Sequence, residues 1–110
     1  MNITEYGNVT VLIPKDDLVG EFVDVFKAKT AERLALGKFD LVVDCTSLDG
    51  FDSAGLEALV DLQNRCEDEL GSVKLCGLDE TLTKILDITR LMRRFEVFAE
   101  LESAVKSFDQ

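Results

Sequence analysis

The chain has 110 residues, 46% hydrophobic and 31% charged, which suits one domain over residues 1–110 with its own core and is too apolar for intrinsic disorder. Its 12 basic and 22 acidic residues leave a net charge of −10, so direct binding to phosphate backbones or anionic membranes is disfavoured. The absence of histidine excludes Ser-His-Asp hydrolysis, histidine-ligated metals and histidine general bases, and no apolar run reaches the roughly 20 residues of a membrane helix.

Asn2–Tyr6 reads as a short strand, and Gly7-Asn8 is a two-residue turn of the kind that closes a hairpin. Val9–Ile13 follows as a β-branched strand that Pro14 ends, since proline cannot donate to a ladder. Asp16 or Asp17 then caps a helix whose apolar face is spaced as Leu18, Phe22, Val25, Phe26, Ala31, Leu34 and Ala35, with Gly37 closing it. Residues 39–45 read as a strand. Its central Leu41-Val42-Val43 lacks alternation, which predicts burial on both faces of a parallel sheet.

Residues 46–52 form a loop into a second helix that starts near Ser53. Leu56, Leu59, Val60, Gln63, Cys66 and Leu70 mark its inner face, and Gly71 ends it. Residues 73–78 are a strand, and residues 81–88 a helix with Leu82, Ile85 and Leu86 inward. Residues 95–98 are a short strand before a final amphipathic helix carrying Leu101, Ala104, Val105 and Phe108. The order ββαβαβαβα predicts a layered α/β fold with a mixed, largely parallel sheet.

Cys45, Cys66 and Cys76 have no Cys-x-x-Cys spacing and lie among apolar residues. They read as buried small hydrophobes rather than zinc ligands. An odd cysteine count without a signal-peptide pattern points to a reducing cytoplasm. The only basic cluster is Arg90, Arg93 and Arg94, which helical spacing would place on one side as a solvated face. The seven phenylalanines read as core and rim, except Phe51, which could be an exposed anchor before the second helix.

The best site candidate is Asp49-Gly50-Phe51-Asp52-Ser53-Ala54-Gly55-Leu56, because it leaves the carboxyl end of a buried strand and enters a helix. Ser53 at the helix start has two compatible readings. As an N-cap it contributes about 1 kcal/mol. As a phosphoacceptor it would put about −1.5 to −2 charges at the positive end of a helix dipole, beside Asp49, Asp52 and Glu57.

The segment Val42-Val43-Asp44-Cys45-Thr46-Ser47-Leu48-Asp49-Gly50-Phe51-Asp52-Ser53-Ala54-Gly55-Leu56 resembles the core signature of STAS domains. More narrowly, it is similar to the bacterial anti-sigma factor antagonists, in which an apolar-Asp-Ser-x-Gly turn enters a helix. Leu82-Thr83-Lys84-Ile85-Leu86-Asp87-Ile88-Thr89-Arg90-Leu91-Met92-Arg93-Arg94-Phe95 matches the family's later helix, turn and lead into the last strand. Together the matches extend over essentially the whole chain. The family's Gly-x-Leu-Asp motif has no clear counterpart in Pro14-Lys15-Asp16-Asp17-Leu18-Val19-Gly20.

The resemblance implies a STAS-like fold and a protein switch. Such proteins bind an anti-sigma factor that is itself a serine kinase, and so free a sigma factor. Phosphorylation at the serine matching Ser53 breaks the complex, and a PP2C-type phosphatase restores it. Carried over, Asp49, Gly50, Phe51, Asp52, Ser53, Ala54, Gly55 and Glu57 form the partner surface. Asp52 shapes the turn, and Gly55 leaves room for a partner backbone. No cofactor, metal or catalytic residue is implied.

Three other readings compete with this one. A receiver-like domain phosphorylated on Asp44 would use Asp16, Asp17 and Lys74, but the acidic pair follows the wrong strand and Lys74 lies inside its strand. An enzyme holding Mg²⁺ on Asp44, Asp49 and Asp52 has no Gly-rich phosphate loop and no activated nucleophile, so those carboxylates read as a solvated acidic rim. A STAS-fold binding module of a transporter or stress-signalling assembly would leave Ser53 as a cap or contact.

Overall fold

The structure, a computed structural model, describes residues 1–109. The elements are β1 (Asn2–Tyr6), β2 (Val9–Ile13), α1 (Glu21–Ala35), β3 (Asp40–Asp44), α2 (Ser53–Asp68), β4 (Ser72–Cys76), α3 (Glu80–Ile88), β5 (Glu96–Phe98) and α4 (Leu101–Lys106). Single 3₁₀ turns occupy Met92–Arg94 and Ser107–Asp109. The order is the one read from the sequence.

One sheet has the spatial order β1-β2-β3-β4-β5. β1 and β2 form the antiparallel hairpin, with Tyr6 opposite Val9 and Asn2 opposite Ile13. The remaining pairs are parallel, and each crossover is a helix to the adjacent strand. The carboxyl ends of β2, β3 and β4 therefore meet at one edge of the sheet.

Both faces are covered, which is why Leu41-Val42-Val43 shows no alternation and is fully buried. On one face Leu12, Leu41, Val43, Val73 and Leu75 pack with Val23 and Phe26 of α1, Leu59 and Leu62 of α2, and Leu82 and Leu86 of α3. On the other, Val9, Val11, Val42 and Cys76 pack with Ala104 and the flanking Leu101 and Val105 of α4. Each fully buried aliphatic side chain contributes roughly 1.5–3 kcal/mol of transfer free energy.

The structure corrects several local expectations. α1 begins at Glu21 after an N-cap at Gly20, not after Asp16 or Asp17. Leu18 is not on the helix; it bridges to Phe51 instead. The buried face of α1 is Val23, Phe26 and Thr30, while Phe22 and Val25 point outward. In α2 the buried face is Gly55, Ala58, Leu59, Leu62, Gln63 and Cys66, with Leu56 and Val60 only half-buried.

Leu70, expected inward, is 97% exposed. It takes the left-handed backbone (φ 64°) that ends α2. The sequence predicts Gly71 in that role, but a Cβ there would strike the Phe39 carbonyl as β4 begins. Close packing against β3 therefore claims the glycine, and the neighbouring leucine carries the backbone strain.

Candidate functional site

The site is built at the carboxyl edge of the sheet by the turn after β3. The Asp44 carboxylate accepts from the Thr46 N–H (3.1 Å) and the Thr46 hydroxyl (2.6 Å), folding the chain as it leaves the strand. Leu48 is buried and pins the turn to the core. The following residues are stitched to the segment before α1. The Asp49 N–H donates to Asp17 Oδ1 at 2.7 Å, and the Asp52 N–H donates to the Leu18 carbonyl at 3.1 Å.

Asp52 is the pivot. One carboxylate oxygen accepts from the Gly55 N–H at 2.7 Å, making Asp52 the N-cap of α2. The other accepts from the Gly20 N–H at 2.9 Å, which joins the starts of α1 and α2. These bonds, Gly20's first and Gly55's second, hold its carboxyl below the usual aspartate range. The expected cap at Ser53 is thereby corrected, since Ser53 is the first residue inside the helix and is exposed.

Gly55 is buried, and its missing Cβ makes room for the Leu18 carbonyl of the same chain. The close approach expected from a partner backbone is thus taken up internally. Phe51 is buried in the main core and presents no exposed anchor. Asp49, Ser53, Ala54 and Glu57 are exposed, and Gly50 and Asp52 are half-buried. The turn therefore presents hydroxyl and carboxylate groups while its aromatic ring points into the protein.

The sequence reading missed the contribution of Asp17, Leu18 and Gly20. Their partners lie 32 residues away for the Asp17 and Gly20 bonds, so no local pattern signals them. It also missed a shallow apolar groove of about 360 Å³ along the outer side of α2, lined by Leu56, Glu57, Val60, Asp61, Asn64 and Leu91. Leu56, Glu57 and Val60 follow Ser53 at helical spacings of three, four and seven, so serine and groove share one helix face.

Charge is distributed unevenly around this edge. Asp16, Asp17, Glu21, Asp24, Asp49, Asp52 and Glu57 enter none of the ion pairs formed among the described residues. They leave an acidic end around Ser53. No cluster of three acidic or cysteine side chains among the described residues is arranged to hold a metal ion.

A cleft of about 540 Å³ lies at the opposite edge of the sheet and is lined in part by Gln63, Lys74, Arg93, Arg94 and Glu96. Two of its basic groups are already paired, Lys74 with Glu96 and Arg94 with Glu67, both at 3.0 Å. Lys74 is also tied to the Ser107 hydroxyl at 2.7 Å and sits 4.0 Å from the Phe108 ring centroid. It is thus held on the α4 side and is unavailable to Asp44, which removes the receiver arrangement.

Arg90, Arg93 and Arg94 do not share a helix face, because the chain turns at Arg90 (φ 62°) and Arg94 folds back to α2. The three cysteines are free and buried. Burial raises the Cys45 thiol and pushes Cys66 and Cys76 up to about 12, so none is a thiolate nucleophile.

Comparison with known proteins agrees with this architecture. The family model for the STAS domain matches residues 1–104. A crystal structure from Thermotoga maritima, provisionally assigned as an anti-sigma factor antagonist, superposes with a TM-score of 0.94 at 19% identity, covering 99% of this chain and 94% of that one. An anti-sigma factor antagonist from Mycobacterium paratuberculosis gives 0.88 at 16% identity, covering 99% and 92%. The anti-sigma factor antagonist SpoIIAA in its unphosphorylated form gives 0.78 at 16% identity, covering 98% and 96%. At these identities the likeness is one of fold. Among curated proteins, none matches the chain by sequence.

Proposed function

The chain belongs to the STAS domain family, and we propose that within it the protein is an anti-sigma factor antagonist whose docking is switched by phosphorylation of Ser53. The unphosphorylated protein binds an anti-sigma factor serine kinase through Asp49, Gly50, Asp52, Ser53, Ala54, Glu57 and the neighbouring Leu56–Val60 groove. Phe51 and Gly55 shape that surface from within. The chain itself is substrate, not catalyst.

The observation that carries this reading is the division of labour between adjacent residues. Asp52 caps α2 and leaves Ser53 exposed, so modifying the serine sacrifices no helix cap. In the switch the γ-phosphoryl group of ATP passes to Ser53 Oγ, ADP leaves, and the hydroxyl proton goes to a base on the kinase. Hydrolysis by a PP2C-type phosphatase returns the serine and inorganic phosphate. The phosphate lies beside Asp49, Asp52 and Glu57, and repulsion across an interface costs several kcal/mol, where each 1.4 kcal/mol is tenfold in affinity.

The test titrates each purified anti-sigma factor serine kinase of the source organism against the protein by calorimetry. One of them should bind the wild type and Ser53→Ala alike, and after incubation with ATP only the wild type should lose binding. Ser53→Asp should bind at least tenfold more weakly while keeping the wild-type circular dichroism spectrum. Tight binding by Ser53→Asp would refute the electrostatic switch. Failure of every kinase to bind would leave a STAS binding module with another job.

A further inference from the structure

Release by like charge at Ser53 requires a partner whose facing surface is itself acidic. To dock such a surface, a chain of net charge −10 needs unpaired positive charge within the footprint. Arg90 and Arg93 supply it. They are the two arginines that enter no ion pair among the described residues, and both are exposed. With Asp87 and Met92 they line a shallow cleft of about 330 Å³. Asp87, the one carboxylate in that lining, pairs with neither of them.

The backbone singles out Arg90. It follows the end of α3 in the left-handed region (φ 62°), with its N–H donating to the Asp87 carbonyl and the Leu91 N–H to the Leu86 carbonyl. Glycine ordinarily fills such a place because a side chain is strained there, and this arginine makes no ion pair that would offset the strain. Leu91, the next residue, lines the α2 groove with Leu56 and Val60. The arginine cleft therefore adjoins the groove through Leu91.

We propose, resting on the antagonist function above, that Arg90 and Arg93 anchor an acidic segment of the anti-sigma factor that also covers the Leu56–Val60 groove. Each guanidinium offers a planar fork of N–H donors matched to a carboxylate. The unphosphorylated complex is held by these pairs against the repulsion from Asp49, Asp52 and Glu57, and a phosphate on Ser53 tips that balance toward release. A nucleic-acid backbone would meet the same two arginines within a field of −10 that repels it. A second copy of this chain would bring its acidic end to the arginines head to tail, a contact that leaves both ends open to further copies.

The anchor is tested with the kinase that binds wild type in the titration above. Arg90→Ala/Arg93→Ala should raise Kd by about tenfold or more. Lys27→Ala/Lys106→Ala, which removes as much positive charge from other surfaces, should change it by less than about threefold. Arg90→Gly should move stability and binding in opposite directions: the urea midpoint rises as the left-handed backbone is relieved, while binding weakens. An arginine kept only for the fold would lower the midpoint and leave Kd unchanged. In Arg90→Lys/Arg93→Lys, a carbodiimide should couple the new amines to aspartate or glutamate side chains of the kinase, located by mass spectrometry.

Equal affinity for wild type and Arg90→Ala/Arg93→Ala overturns the anchor and leaves the antagonist function standing. Failure of every kinase to bind wild type removes both. Self-association of the protein alone that Arg90→Ala/Arg93→Ala abolishes would assign the cleft to a second copy and overturn the proposal.

Discussion

At Gly55 the Leu18 carbonyl occupies the space a β-carbon would need, and backbone on both sides leaves nothing flexible to yield. Gly55→Ala should therefore lower stability by about 1–3 kcal/mol, the usual cost of overpacking. The loss would be read from the urea midpoint, and an unchanged midpoint would contradict the fit. Asp52 carries a pH signature at the same turn. Its folded-state carboxyl lies below the ordinary range, chiefly through the Gly20 and Gly55 bonds. Its stabilisation is thus fully present above the unfolded value near 4 and is lost as pH falls through the folded one. The Gly20 and Gly55 amide resonances should shift together below pH of about 4, and Asp52→Asn should level that part of the acid-unfolding curve. Titration of both amides at the ordinary aspartate value would show that the two bonds do not hold in solution.

Gln63 shows how one element depends on another. It is buried in α2, where its side-chain oxygen accepts from the Val73 N–H at 2.6 Å and its amide donates to the carbonyls of Val73 (3.1 Å) and Arg94 (2.7 Å). The bonds tie α2 to β4 and to the lead into β5. Gln63→Leu keeps the volume but orphans these groups, and should cost about 1–3 kcal/mol with an unchanged urea m-value. The sequence reading placed Gln63 inward but gave no partner, because a partner across a sheet has no local signature. Element order was legible because turn residues and buried β-branched runs act locally. Helix rotation was less so. Phe22-Val23 and Val25-Phe26 offer two apolar stripes about 100° apart, and only tertiary packing selects Val23 and Phe26. Asp16 and Asp17 looked like caps, yet the Asp17 carboxylate is engaged by the Asp49 amide. Of the candidate site, the position of Ser53 at the start of α2 was legible from the Asp-Ser-x-Gly pattern. The inward turn of Phe51 and the internal use of Gly55 were not, since both depend on Leu18.

Across the whole molecule, net charge and its placement act in opposite directions. Among the described residues, six ion pairs link helices and strands, or neighbouring turns of one helix, away from the Ser53 edge. The carboxylates of that edge repel one another without local compensation. Salt shortens the Debye length from about 30 Å at 0.01 M to about 3 Å at 1 M, so it relieves this repulsion in the isolated protein. The urea midpoint should therefore rise between 0.01 and 0.5 M KCl, measured with the chloride of a weakly interacting cation. Phosphorylation adds about −1.5 to −2 charges to this uncompensated field. The phosphorylated protein should then show a steeper rise in stability with salt than the unphosphorylated one, whether or not a partner is present, and parallel slopes would place the phosphate outside the acidic field.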